Sequence, residues 1–274
     1  MRKMKQIKLK YGIKSGELVH ILEVESGLAC SCICVSCHET LVAKKGMKRE
    51  NHFAHASGHS CEFAAETALH LAAKEILNKH RKIMLPPAWI EFDTNRGRYQ
   101  ISDAKSVTID SLKIETKIET LIPDLIATVN DRDLLIEIFV THAIDEEKTA
   151  KIEQLGISTI EIDLSKAPRD MSMESLKEVI IDKIENKRWI YNARVKSEFK
   201  RMLNQTRHMD ITSRGFASHV DYCPIKVNIW RGKPYANVID DCIYCIHCVS
   251  YPGDVICCNG HLDPNDIYKP KLCT

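Results

Sequence analysis

The sequence predicts an α/β protein: a mixed sheet core flanked by helices, with a zinc-binding module at each end. Three observations point there. Strand-like apolar runs alternate with helical patterns through the middle of the chain. The cysteines fall in two clusters, five from Cys30 to Cys61 and seven from Cys223 to Cys273, with none between. A hairpin pattern over 121–142 sets acids inside apolar runs, where a lone carboxylate is costly.

At 274 residues the chain holds one large domain or two to three small ones. A net charge of +2 excludes a global basic field, so nucleic-acid contact has to come from local patches. No apolar run reaches the length of a membrane span. The basic N-terminus is followed by no apolar signal core, so a cytoplasmic location and no membrane association are expected.

Residues 5–25 read as two strands around a turn near Ser15-Gly16. Cys34 and Cys37 then form a CxxC turn that can aim both thiolates at one metal. After a strand at 40–44, His52-Phe53-Ala54-His55 and Cys61 supply the other half. Zinc takes four N or S ligands, and the first choice is Cys34, Cys37, His55 and Cys61. His52 and Cys32 are reserves, and Cys30 reads as a buried thiol. Side-chain ligands in this number indicate a closed, structural site.

Residues 62–80 read as a helix with Ala65, Leu69, Ala72 and Ile76 as its apolar stripe. Glu66, His70 and Lys74 form an adjacent polar stripe. It is either a solvated face or a face turned toward the hairpin. In the hairpin, runs at 125–129 and 134–140 flank the turn Asn130–Asp133. Asp124 enters the first strand and Glu137 sits inside the second. Two carboxylates meeting across a hairpin make a site for a divalent cation such as magnesium.

Pro123-Asp124, a turn, and Glu137 in the next strand resemble the PD-(D/E)XK, or restriction-endonuclease-like, nuclease superfamily. That pattern has a lysine two residues after the glutamate, and here the position is Phe139. More of the chain is similar to the competence protein CoiA-like family, whose members are placed in that superfamily. The likeness runs from about Gly27 to Asp163. It rests on the cysteine-rich module ending in His-Phe-Ala-His, the following cysteine, a helix with Glu-x-x-x-His-x-x-x-Lys, and the hairpin. The resemblance implies a restriction-endonuclease-like core, Mg2+ or Mn2+ on Asp124 and Glu137, and help from Glu66. Among Thr141, His142, Lys148 and Lys151, all near in sequence, Lys148 and His142 are kept as candidates for the missing lysine's role.

Around the hairpin, short strands are expected near 88–92, 107–110 and 112–116, a helix from Asp145 to Gly156, and a strand at 158–164. That is the α-β-β-β-α-β order of the nuclease core. Leu176, Val179, Ile180 and Ile184 mark an amphipathic helix expected to run on through 187–196, a stretch mixing Lys and Arg with Trp and Tyr. The last module offers Cys242 and Cys245 as a second CxxC, with Cys223 and Cys258 to complete it. Cys248, Cys257 and His261 compete for those places.

The expected segments are a β-rich zinc module (1–61), the nuclease-like core (62–170), a helical arm (171–215) and a zinc-ribbon-like module (216–274). Two structural zinc ions and one catalytic Mg2+ or Mn2+ follow. The functional expectation is a metal-dependent nuclease acting on nucleic acid, most naturally DNA, in uptake, processing, recombination or defence. The alternative is a catalytically degenerate zinc protein that binds nucleic acid or assembles protein partners.

Overall fold

The structure, a computed structural model, describes residues 8–46, 49–59, 61, 64–141, 143–168 and 171–271. The chain groups into two compact units, Met1–Pro86 with Lys105–Tyr191, and Pro87–Ala104 with Asn192–Thr274. In the first unit, β1 (Tyr11–Lys14) and β2 (Glu17–His20) form a hairpin, and β3 (Leu41–Gly46) and β4 (Arg49–His55) form another. Ser15 and Gly16 turn the first with positive φ. Then come α1 (Ala64–His80) and β5 (Lys82–Leu85). The hairpin β6 (Ala88–Glu91) and β7 (Arg98–Ser102) belongs to the second unit.

The chain returns to the first unit with β8 (Lys105–Thr108), β9 (Ser111–Ile114), β10 (Leu125–Val129), β11 (Arg132–Phe139), α2 (Glu146–Leu155), β12 (Thr159–Asp163), α3 (Met173–Ile181) and β13 (Lys187–Tyr191). Strands β9 to β13 form one five-stranded sheet in sequence order. Only β11 and β12 are parallel, and α2 is the crossover that parallel pairing requires. The sheet is therefore mixed, as expected from the sequence.

Helices α2 and α3 begin at side-chain caps. Asp145 caps α2 by accepting from the Lys148 amide at 2.7 Å, and Gly156 ends it with φ 68°. Ser172 caps α3 in the same way. Strand alternation then sorts the two faces of the sheet. Leu125, Ala127, Leu134, Ile136, Ile138, Ile160 and Ile162 pack with α1 and α3. Ile126 and Leu135 pack on the opposite face with Ile152 of α2. Fully burying one such aliphatic side chain contributes about 1.5–3 kcal/mol.

The second unit contains α4 (Ala193–Leu203) and the strands β14 (Arg207–Arg214), β15 (Ala217–Asp221), β16 (Asn228–Trp230), β17 (Lys233–Asn237), β18 (Cys248–Ser250) and β19 (Val255–Cys258). They form an antiparallel sheet in the order β16-β17-β15-β14-β19-β18. Its small core mixes Val220, Ala236, Val238 and Ile256 with buried cysteines.

Two expectations are corrected. The hairpin turn is only Asn130-Asp131, both at positive φ, and Arg132 and Asp133 already pair as strand. Asn and Asp tolerate the left-handed conformation that a two-residue hairpin turn demands. The long helix through 176–196 is broken. After α3, residues 187–191 form the edge strand β13, and a new helix starts behind the Asn192 cap. Trp189, Ile190 and Tyr191 suit a pleated surface, and β12 offers them a ladder. Among the described residues, no helix is long and apolar enough to cross a membrane.

Candidate functional sites: a thiol–imidazole cluster and an acidic cavity

The N-terminal cysteines are placed by turns. Cys34 and Cys37 lie on the turn before β3, and the Ser36 amide donates to Cys34 Sγ at 3.5 Å. Pairing of β3 with β4 carries His55 alongside, and its Nε2 lies 3.3 Å from Cys37 Sγ. Cys61 follows in the link to α1. The ligand atoms of Cys34, Cys37, His55 and Cys61 all lie within 4.8 Å of one another. A tetrahedral zinc with bonds of about 2.3 Å to sulfur asks for ligands roughly 4 Å apart, so the four can hold a zinc ion.

The reserve ligands are engaged elsewhere. The Cys32 thiol donates to the Cys30 carbonyl, the Cys30 thiol to the Leu41 carbonyl, and His52 Nδ1 meets the Glu50 carbonyl. Burial pushes the Cys34 thiol up to about 11; the neighbouring amides pull it down and Cys37 adds to the rise. A metal would have to displace that proton, as thiolate binding requires.

The second site is a cavity of about 500 Å3 in the first unit. Its lining includes Glu66, His70, Asp124, Glu137, Lys148 and Glu161. Asp124 stands one residue before β10. Its Oδ2 accepts from His70 Nε2 at 3.0 Å and from the Ile138 amide at 2.9 Å. Its Oδ1 lies 3.1 Å from Lys74 Nζ, which also donates to Glu115 at 2.6 Å. The polar stripe of α1 therefore faces the hairpin. Glu66, one turn before His70, accepts from the Thr141 hydroxyl.

Glu137 projects from β11 toward the α2 face, by alternation from Leu135. Lys148, in the first turn of α2, donates to its Oε2 at 2.7 Å. The other oxygen, Oε1, is buried without a hydrogen-bond partner, in a residue only 3% exposed. Burial pushes Glu137 up to about 7; Lys148 and the Asp124 amide pull the other way, and the Asp124 charge adds to the rise. Asp124 moves oppositely. Burial would raise it, but His70, the Ile138 amide and Lys74 outweigh that and hold it well below the usual carboxylate range. One carboxylate is thus firmly ionised beside another with an unmet oxygen, and hard oxygen donors suit Mg2+ or Mn2+.

At the C-terminal end, Cys223, Cys242, Cys245, Cys248 and Cys258 line a small cavity of about 20 Å3 in the second unit. The His247 amide donates to Cys245 Sγ and the Gly260 amide to Cys258 Sγ, both at 3.4 Å. The Cys248 thiol points to the Ser250 carbonyl at 3.8 Å, and Cys257 turns to Thr206. Among the described residues, only the N-terminal cluster brings three or more metal-ligating groups within 4.8 Å.

Asp124, Glu137, Glu66 and Lys148, named from the sequence, therefore share one cavity. His142 lies outside the described residues. Glu161 was missed, although an acid inside the run Thr159–Leu164 is the same signal that singled out Glu137. The segment 24–64 matches the family model for competence protein CoiA, N-terminal domain. All four ligands of the N-terminal cluster fall inside that match. No curated protein and no solved structure matches the chain.

Proposed function

We propose that the chain is a metal-dependent nuclease that hydrolyses phosphodiester bonds of DNA, built on a restriction-endonuclease-like core. One observation carries this. Asp124 and Glu137 line the same cavity, and Glu137 keeps a buried, unpartnered oxygen there. Leaving such an atom unmet costs about 1–3 kcal/mol or more, and a cation held between the two carboxylates would satisfy it. Mg2+ or Mn2+ at Asp124 and Glu137 would polarise a phosphoryl oxygen and make an attacking water easier to deprotonate.

The chain's own residues have separate duties. His70 and Lys74 fix the orientation of Asp124. Lys148 takes the place of the lysine that Phe139 displaced: it comes from α2, yet its ammonium reaches Glu137. There it sets the carboxylate's orientation and offers N–H donors to the cavity. Glu66 extends the acidic lining. The order α1, β9 to β11, α2, β12 in a mixed sheet supports the nuclease-like core.

Zinc at Cys34, Cys37, His55 and Cys61 would stiffen the N-terminal module. A second structural zinc at Cys223, Cys242, Cys245 and Cys258 would have to draw those thiols closer together than they stand; the amide-to-sulfur bonds at Cys245 and Cys258, like that at Cys34, favour it, with Cys248 as the spare thiol. Kinship with the competence protein family over 24–64 favours DNA as substrate, with a cytoplasmic role in uptake, recombination or defence. The test is cleavage by chelated protein after Mg2+ or Mn2+ is restored, for wild type and Asp124→Ala. Cutting restored only in wild type, with folding equal, supports the proposal; equal cutting by both overturns it.

A second reading has its own observation. Both oxygens of Asp124 are already met by Lys74, His70 and the Ile138 amide. A carboxylate so saturated suits a core that binds nucleic acid, or assembles protein partners through its zinc modules, without cutting. Salt-dependent DNA binding with no cleavage under any divalent metal would favour it.

A further inference from the structure

Register places four side chains in one row. Glu137 of β11 and Glu161 of β12 are direct partners in the parallel pair, and Glu161 is the direct partner of Arg188 on β13. Asp124 precedes Leu125, which pairs with Ile136, so continuing the antiparallel register sets it opposite Glu137. The row Asp124, Glu137, Glu161, Arg188 thus runs across neighbouring strands, three carboxylates ending in a guanidinium.

Glu161 is 1% exposed and lines the acidic cavity. A second buried carboxylate beside Glu137 needs a counter-charge. Arg188 Nε supplies it, donating to Glu161 Oε1 at 2.7 Å. The Ile144 amide approaches the other oxygen at 3.4 Å, and Asp163 adds a further negative charge near Arg188. Yet the Arg188 side chain is 60% exposed. A guanidinium has two usable edges, and one bound through Nε still presents its far nitrogens in a fork that matches phosphate oxygens. Pure counter-charge duty would suit a buried cation. This one is pinned at Nε and open beyond it.

We propose that Arg188, held in place by Glu161, is a second phosphate subsite that grips the nucleic-acid backbone beside the Asp124–Glu137 site. It stands two strands from Glu137, roughly 10 Å away at ordinary strand spacing. That offset serves a phosphate neighbouring the one at the carboxylates, not the same one. The ligand is a phosphodiester backbone, recognised without regard to sequence. The proposal rests on the cavity being a nucleic-acid site, whether or not it cuts.

The experiment is binding of a fluorescent DNA oligonucleotide to the full chain in chelator, across a salt series. The variants are Arg188→Ala, Arg188→Lys, the double variant Arg188→Ala/Glu161→Gln, and Arg132→Ala as a control on an exposed arginine of β11. The double variant removes the buried charge that Arg188→Ala strands, so the test survives if the single variant folds poorly. The slope of log affinity against log salt is expected to fall in magnitude by about one in the Arg188→Ala variants and to hold in Arg188→Lys and Arg132→Ala. A mere structural role for Arg188 would not move that slope. An unchanged slope in the folded double variant overturns the subsite while leaving the nuclease reading intact. Absence of any salt-dependent DNA binding by wild type overturns the nucleic-acid reading and the subsite with it.

Discussion

The thiol–imidazole cluster and the acidic cavity are both sets of metal-ligating groups, but they handle charge in opposite ways. The four groups of the first converge on one another within 4.8 Å and could hold a zinc ion without further donors. Three acids of the second are instead each met by a cation of the chain: Asp124 by Lys74, Glu137 by Lys148, Glu161 by Arg188. A closed shell leaves no room for exchange and serves stability. We propose chemistry at the second site and a stiffening role for the first.

The contrast can be broken at either end. The largest effect is expected at the cluster. Cys34→Ser should cost one zinc per chain and unfold the β3–β4 hairpin, because structural zinc contributes on the order of 10 kcal/mol to small modules. Elemental analysis and circular dichroism read both, and a variant that keeps its zinc would remove Cys34 from the ligand set. Next, Lys148→Met should lower kcat by about 100-fold or more while zinc content stays constant, in line with the loss of a proton-handling or positioning group. A shift in KM alone would make Lys148 a substrate contact.

A smaller effect follows at the helix that presents Lys148. Asp145→Ala removes the α2 cap and is expected to cost about 1 kcal/mol by urea unfolding. A change within error would mean that the cap adds nothing measurable to the helix. Least of all, Cys248→Ser should leave the zinc count unchanged, since its thiol points at a carbonyl. Loss of a zinc would move Cys248 into the second ligand set.

What was legible in the sequence follows the same contrast. Cys34, Cys37, His55 and Cys61 were readable because a CxxC turn and one hairpin bring them together, and both are local devices. Asp124 and Glu137 were readable as acids in neighbouring strands of one hairpin, but their register was not, because the turn was expected to span four residues and it spans two. Lys148 followed from a helix with a clear cap and stop. Glu161 and Arg188 depended on longer-range choices. Whether β12 lies beside β11 is set by a crossover, and nothing local announces which residue it brings next to Glu137. Arg188 was further obscured because Lys187–Tyr191, charged and aromatic by turns, was read as a continuing helix. The sheet edge decided it as strand.

The most direct measurement is cleavage of single- and double-stranded DNA with Mg2+ or Mn2+ by wild type and Glu137→Gln, with zinc content checked in both. The substitution keeps the side chain's shape and removes its charge. Wild type is expected to cut, and the variant to lose about three orders of magnitude of rate, within the range for removing a group that acts on developing charge. Equal cutting by both proteins, with zinc intact, would contradict it, because the buried oxygen at the centre of the acidic cavity would then have no part in the chemistry.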